Sequence, residues 1–79
     1  MADEATFEKF RACAVEVLQV PAEKIVPEAR FGEDLDADSL DLVEFVMALE
    51  ESFDITVEES ELEGVETVAQ AYELVTTKL

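Results

Sequence analysis

The 79-residue sequence contains no histidine and no tryptophan, and it has one cysteine, two glycines and two prolines. Without histidine, the chain lacks the usual base that activates a serine nucleophile. The lone Cys13 can form neither an internal disulfide nor a metal cluster. The absence of histidine therefore argues against an autonomous serine hydrolase, and the single free cysteine indicates a reducing compartment.

Basic residues are also scarce, with five Lys and Arg against 21 Asp and Glu, for a formal net charge of -16. Binding to nucleic acid depends on basic side chains that displace counterions, so this composition excludes it. A field this negative steers a protein towards basic protein surfaces. The first residues lack the features of a signal peptide, and no apolar run approaches the ~18 residues of a membrane span. We expect a cytoplasmic chain with no membrane insertion.

Hydrophobic periodicity predicts four helices within a single domain over residues 1–79. The first spans 3–18, the second 38–53, a short third lies within 58–63, and the fourth begins after a capping box of Thr67 and Gln70. The fourth helix carries an apolar stripe: Val68, Ala71, Tyr72, Val75 and Leu79. A long ordered loop over 21–38 is expected to be pinned by four apolar side chains: Ile25, Val26, Phe31 and Leu35.

Ser39 is singled out by its place at the start of the second helix. Asp38 is the better N-cap, which leaves the Ser39 hydroxyl free in the first turn. The unpaired N–H groups and positive dipole end of the helix then lie beside any phosphate attached there. The lysines, Lys9, Lys24 and Lys78, are all distant from Ser39 in sequence. The serine is therefore interpreted as an acceptor that another enzyme modifies, rather than as a nucleophile.

The segment FGEDLDADSLDLVEFVMALEESF over residues 31–53, centred on Asp38-Ser39-Leu40, resembles the signature of acyl carrier proteins. The resemblance implies that Ser39 receives 4'-phosphopantetheine from coenzyme A through a Mg-dependent transferase and then carries acyl groups as thioesters. It also implies an all-α four-helix bundle with a long first loop and a short third helix, and a carrier that is not itself an enzyme. We expect a free-standing monomer.

The second helix has two apolar faces. The face predicted to pack on the core is formed by Leu42, Phe45, Val46, Leu49 and Phe53. The other face is predicted to bind partners, namely phosphopantetheinyl transferase and acyl-processing enzymes with basic patches; it comprises Leu40, Asp41, Val43, Glu44, Met47, Glu50 and Glu51. The alternative is that these apolar residues are ordinary scattered surface residues, or that the helix is buried all round.

The resemblance also implies an acyl pocket, with candidates Leu49, Val57, Leu62, Val65 and Ala71. Leu62 is larger, and Gly32 smaller, than the side chains that fatty-acid carriers often have at these places. The acidic residues before and within the second helix begin with the spacing of an EF-hand, but Ser39 and Phe45 stand where Gly and Glu are required. We therefore predict no dedicated metal site and only weak Ca or Mg binding.

The pathway has two interpretations. Fatty acid biosynthesis is the default, and a dedicated carrier of polyketide or another specialised route has the same sequence features. Two remote alternatives rest on charge alone: an acidic nucleic-acid mimic and an acidic metal-binding protein. Neither of them explains the residues around Ser39.

Overall fold

A computed structural model of the chain describes residues 4–79 and shows four α-helices. They are α1 (Glu4–Leu18), α2 (Ser39–Phe53), α3 (Glu59–Leu62) and α4 (Val68–Thr77), with a short 3₁₀ turn (Ala22–Lys24) in the loop after α1. Within residues 4–79 there is no β-strand. The predicted all-α bundle with a long first loop and a short third helix is confirmed. The predicted first residue of α1, Asp3, lies outside the described residues.

The helix boundaries follow from local chemistry. Leu18 is the last residue of α1 because Gln19 adopts a left-handed conformation (φ 56°) two residues before Pro21. Asp54 ends α2 in the same conformation (φ 56°, ψ 50°), which Asp tolerates better than most residues. At the start of α4 the predicted capping box is confirmed, since the Thr67 hydroxyl accepts a hydrogen bond from the Gln70 N–H at 3.2 Å.

One core joins the helices, and aromatic rings occupy its centre. Phe10 of α1 is fully buried and meets Phe45 of α2 and Tyr72 of α4 edge to face, each at 5.3 Å between ring centroids. Phe31, from the long loop, lies 5.8 Å from Phe45. Edge-to-face pairs of this kind add stabilisation beyond the area that they bury. The loop thus contributes to the same core as the helices.

The long loop is ordered, as predicted, and three of its four expected apolar pins are buried: Ile25, Phe31 and Leu35. The prediction for Val26 is wrong, because this side chain is 40% exposed. The preceding residue, Ile25, is the one that enters the core. The prediction for Leu79 is also wrong. It is 64% exposed because α4 ends at Thr77, before the stripe reaches it.

Backbone hydrogen bonds tie the loop to the start of α4. The Phe31 N–H donates to the Glu66 carbonyl at 3.0 Å, and the Val68 N–H donates to the Ala29 carbonyl at 2.9 Å. Arg30 and Thr67 form an antiparallel bridge between these two bonds. This contact brings two segments that are distant in sequence together beside the first turn of α2.

Candidate functional site at the start of α2

Two aspartates hold the first turn of α2. The Asp38 carboxylate accepts from the Asp41 N–H at 2.9 Å, and the Asp41 carboxylate accepts from the Asp38 N–H at 3.1 Å. This reciprocal arrangement is a capping box built from two acidic side chains. The prediction that Asp38 caps the helix is confirmed, and the intervening Ser39 is left out of the cap.

Ser39 is exposed at the first position of α2. Because the first N–H groups of a helix have no acceptor within it, the N–H groups of Ser39 and Leu40 are available to an anion at this place. A phosphodiester on the Ser39 oxygen fits here, since it needs a solvent-facing hydroxyl and N–H donors rather than a cage of side chains. With no histidine in the chain, the hydroxyl has no imidazole base to activate it.

A groove of about 250 Å³ opens beside Ser39. One wall comes from the end of the long loop and the first turns of α2, and the other from the segment before α4. Its lining mixes apolar and polar groups: Arg30, Phe31, Gly32, Glu33, Ala37, Asp38, Ser39, Leu42, Val65 and Glu66. The groove exists because the backbone bonds described above bring residues 29–31 against 66–68.

The two faces of α2 differ as predicted. On the inner face Phe45, Val46 and Leu49 are buried, and the remaining two predicted residues, Leu42 and Phe53, pack at the edge of the core. On the outer face Leu40 is 65% exposed and Met47 is 56% exposed. The interpretation that α2 is buried all round is therefore wrong.

The outer face also contains Val43, which is half-buried, and the acidic residues around it differ in their contacts. Glu44 and Glu51 are exposed. Asp41 is committed to the cap of α2, and the Glu50 carboxylate accepts from the Val57 N–H at 2.8 Å. Glu50 thus fastens the segment that leads into α3. Four acidic residues are predicted for this face, and we call them the acidic rim: Asp41, Glu44, Glu50 and Glu51. Of these four, Glu44 and Glu51 have exposed side chains.

The five residues predicted for the acyl pocket occupy two environments. Leu49 and Ala71 are buried in the main core, whereas Val57, Leu62 and Val65 are half-buried around α3. Val65 also lines the groove beside Ser39. The α3 helix itself has no fully buried residue, so it covers this side of the core only partly.

The basic residues are distributed unevenly, because no Lys or Arg occurs from residue 31 to residue 77. Four of the five lie at or before Arg30, and the fifth, Lys78, pairs with Glu61 of α3 at 3.0 Å. The pKa of Glu61 is lowered, first by the hydrogen bond from the Glu58 N–H and then by Lys78. The outer face of α2 therefore lies in a stretch of chain in which every charged residue is acidic.

Two further observations concern metal and membrane. Among residues 4–79, no group of three or more acidic, cysteine or histidine side chains is arranged to hold a metal ion. None of the helices in this part of the chain has the length and apolar character needed to cross a bilayer.

Sequence reasoning did not identify Arg30, Phe31, Leu42 and Glu66 as neighbours of Ser39. They come together through the bridge between Arg30 and Thr67, which joins segments far apart in the chain. In the sequence, Gly32 is the local indication of this groove, because it has no side chain and lines the open space.

Comparison with known proteins agrees with this geometry. The sequence model of the family described as phosphopantetheine attachment site matches residues 8–75. The chain is also 56% identical over 63 residues to an acyl carrier protein of Helicobacter hepaticus, an alignment that covers 80% of this chain and 83% of that protein. The chain belongs to the acyl carrier protein family: it is a carrier and not an enzyme, and its cofactor is a covalently attached 4'-phosphopantetheine.

Proposed function

We propose that Ser39 is the attachment residue and that the chain carries acyl groups as thioesters from one enzyme to the next. The observation that carries the proposal is the exposed Ser39 hydroxyl, which lies outside a cap made by Asp38 and Asp41. When bound, the cofactor supplies a terminal thiol that forms the thioester. Ser39 would hold the arm, and the first turn of α2 would offer N–H groups to the phosphate of the arm. The groove beside Ser39 would accommodate part of the arm.

Intact mass tests the attachment. The protein is incubated with coenzyme A, Mg²⁺ and a phosphopantetheinyl transferase, and the parent is expected to gain the mass of one arm. Ser39→Ala should gain none. Ser60→Ala serves as the matched control, because Ser60 is also exposed in the first turn of a helix, α3, and should be modified like the parent. Addition to the Ser39→Ala protein would place the arm elsewhere.

We further propose that the outer face of α2 docks the transferase and the acyl-processing enzymes. Leu40 and Met47 provide an exposed apolar centre, while Glu44 and Glu51 provide a charged rim. Charged groups at a rim act mainly on the rate of association and on its dependence on salt. Enzymes that present Lys or Arg around a small apolar pocket would fit this surface, and the flexible Met47 suits several such partners.

Charge reversal at Glu44 tests the docking face. Glu44→Lys should lower kcat/KM for loading by about tenfold at low salt, and the loss should shrink as salt screens the charges. Glu73→Lys is the matched control, because it makes the same change in net charge at an exposed site on α4. Equal rates for the two variants would contradict electrostatic docking through this face.

We propose fatty acid biosynthesis as the pathway and the cytoplasm as the setting, with residues 1–79 acting as a single domain. The acyl chain would lie against the half-buried residues around α3, with Leu62 limiting the depth of the pocket. Leu62→Ala should increase the thermal stabilisation by long acyl chains relative to short ones. Processing of the loaded protein by specialised enzymes alone would favour the alternative, a dedicated carrier.

A further inference from the structure

Among residues 4–79, Arg30 is the one basic residue that lines the groove beside Ser39. It is also the last Lys or Arg before a stretch of acidic chain that extends to residue 77. Its neighbours in the groove include Glu33, Asp38 and Glu66. An anionic phosphodiester on Ser39 would therefore have acidic residues around it and one basic residue, Arg30, in the lining of the same groove to offset them.

The backbone of Arg30 is firmly held. Its N–H donates to the Asp34 carboxylate at 2.8 Å, and its carbonyl accepts from the Asp34 N–H at 2.8 Å and the Leu35 N–H at 3.1 Å. The bridge to Thr67 fixes it from the other side. The Arg30 side chain therefore extends from a backbone that is fixed beside the groove.

The guanidinium itself is loosely engaged. It contacts Glu33 through one nitrogen at 3.2 Å, and both side chains are mostly exposed, at 60% and 72%. Exposed ion pairs of this kind are weak. Because an arginine has five N–H donors in a planar fork, most of its donors remain for the oxygens of a phosphate.

Gly32 gives the groove its room. A Cβ added at Gly32 would find its nearest atom outside the adjacent residues, the Ala37 carbonyl oxygen, at 4.0 Å, so a side chain could be accommodated but none is there. The apolar part of the lining consists of Phe31, Ala37, Leu42 and Val65. A lining that combines apolar and polar groups suits an arm that carries a dimethyl-substituted carbon between its phosphate and its amide groups.

We propose that Arg30 positions the phosphopantetheine arm: its guanidinium binds the phosphodiester on Ser39, and the groove opened by Gly32 receives the first part of the arm. This rests on the proposed attachment at Ser39. The chain thereby holds the arm along the side of α2 that faces the segment before α4, away from the exposed Leu40 and Met47. An arm held in this way leaves the docking face free.

The experiment compares arm-loaded proteins by NMR. In the parent, the dimethyl protons of the arm should show cross-relaxation with the methyl groups of Leu42 and Val65. In Arg30→Gln these signals should weaken severalfold and the phosphorus shift should move towards that of the free arm, while Arg30→Lys should restore part of both. Lys24→Gln is the matched control, because it removes a basic residue from the same loop outside this groove.

Gly32→Val gives an independent test, because it fills the groove while Arg30 stays in place. It should abolish the cross-relaxation and leave the helical circular dichroism unchanged; if it fails to fold, Gly32→Ala replaces it. Signals in Arg30→Gln equal to those of the parent would overturn the role of Arg30. Absence of arm addition to the parent would instead refute the attachment itself, so the two failures are distinguishable by mass before any spectrum is recorded.

Discussion

The N-termini of α2 and α4 both have a capping box, but the two boxes use different residues, and this difference decides whether the nearby hydroxyl is part of the cap. At α4 the Thr67 hydroxyl is itself the cap and accepts the Gln70 N–H. At α2 the cap is the Asp38 carboxylate, and the hydroxyl belongs to the following residue, Ser39. A hydroxyl that holds a helix end is occupied, whereas one placed beyond the cap is free to be modified.

The same comparison explains why an acidic cap serves at α2. Carboxylates are strong N-caps because they accept hydrogen bonds from N–H groups and because their negative charge is stabilised by the positive end of the helix dipole. They satisfy the turn without using the serine. The consequence is that the proposed attachment residue, Ser39, lies among carboxylates, with Arg30 as a basic residue in the lining of the same groove.

Exchanging the two hydroxyl-bearing residues for alanine should produce opposite results, and this is the largest effect we expect. Ser39→Ala should lose loading completely and change the free energy of unfolding by less than about 0.5 kcal/mol, as for a surface substitution. Thr67→Ala should load like the parent but lose about 1 kcal/mol, because an N-cap is removed. Urea unfolding and intact mass measure the two properties. A large loss of stability in Ser39→Ala would mean that Ser39 also caps.

Removing the cap of α2 should affect both properties at once. Asp38→Ala deletes the acceptor for the Asp41 N–H and should cost about 1 to 2 kcal/mol of unfolding free energy. Loading should slow as the turn that presents Ser39 frays. Asp38→Asn is the control, because it keeps a side-chain oxygen for the cap and should stay close to the parent in urea. If Asp38→Ala loaded at the rate of the parent, the cap would not be needed to present Ser39.

The smallest effect concerns α3, whose N-terminal contact depends on charge. The Glu61 carboxylate accepts the Glu58 N–H at 2.8 Å and pairs with Lys78, and both contacts lower its pKa from about 4.5. A lowered pKa in the folded protein means that Glu61 stabilises it above about pH 4.5. This stabilisation is lost as the pH falls through the lowered pKa.

Glu61→Gln should therefore be less stable than the parent at pH 7, and the difference should narrow as the pH is lowered from 5 towards 3. Urea unfolding at each pH measures it. Glu59→Gln removes the same charge from the same turn of α3 and controls for general repulsion. A difference between parent and Glu61→Gln that stayed constant with pH would contradict the role given to the Glu61 carboxylate.

Much of the fold was predictable because it depends on neighbours in the chain. Helix periodicity, the cap at Asp38 and the box of Thr67 with Gln70 are all set within one or two turns, and the structure confirms them. The wrong predictions concern residues that continue a local hydrophobic pattern but do not reach the core in the folded chain. The stripe of α4 predicts a buried Leu79, which is exposed, and the pattern of the long loop predicts that Ile25 and Val26 are both buried, although only Ile25 is.

The sequence by itself determined the four helices, the free hydroxyl of Ser39 and the amphipathic outer face of α2, because each follows from spacing and side-chain type. Only the tertiary structure decided what surrounds Ser39. The bridge between Arg30 and Thr67 forms the groove, and the bond from Val57 withdraws Glu50 from the acidic rim. Both depend on packing between segments that are distant in the chain, and no local pattern specifies such contacts.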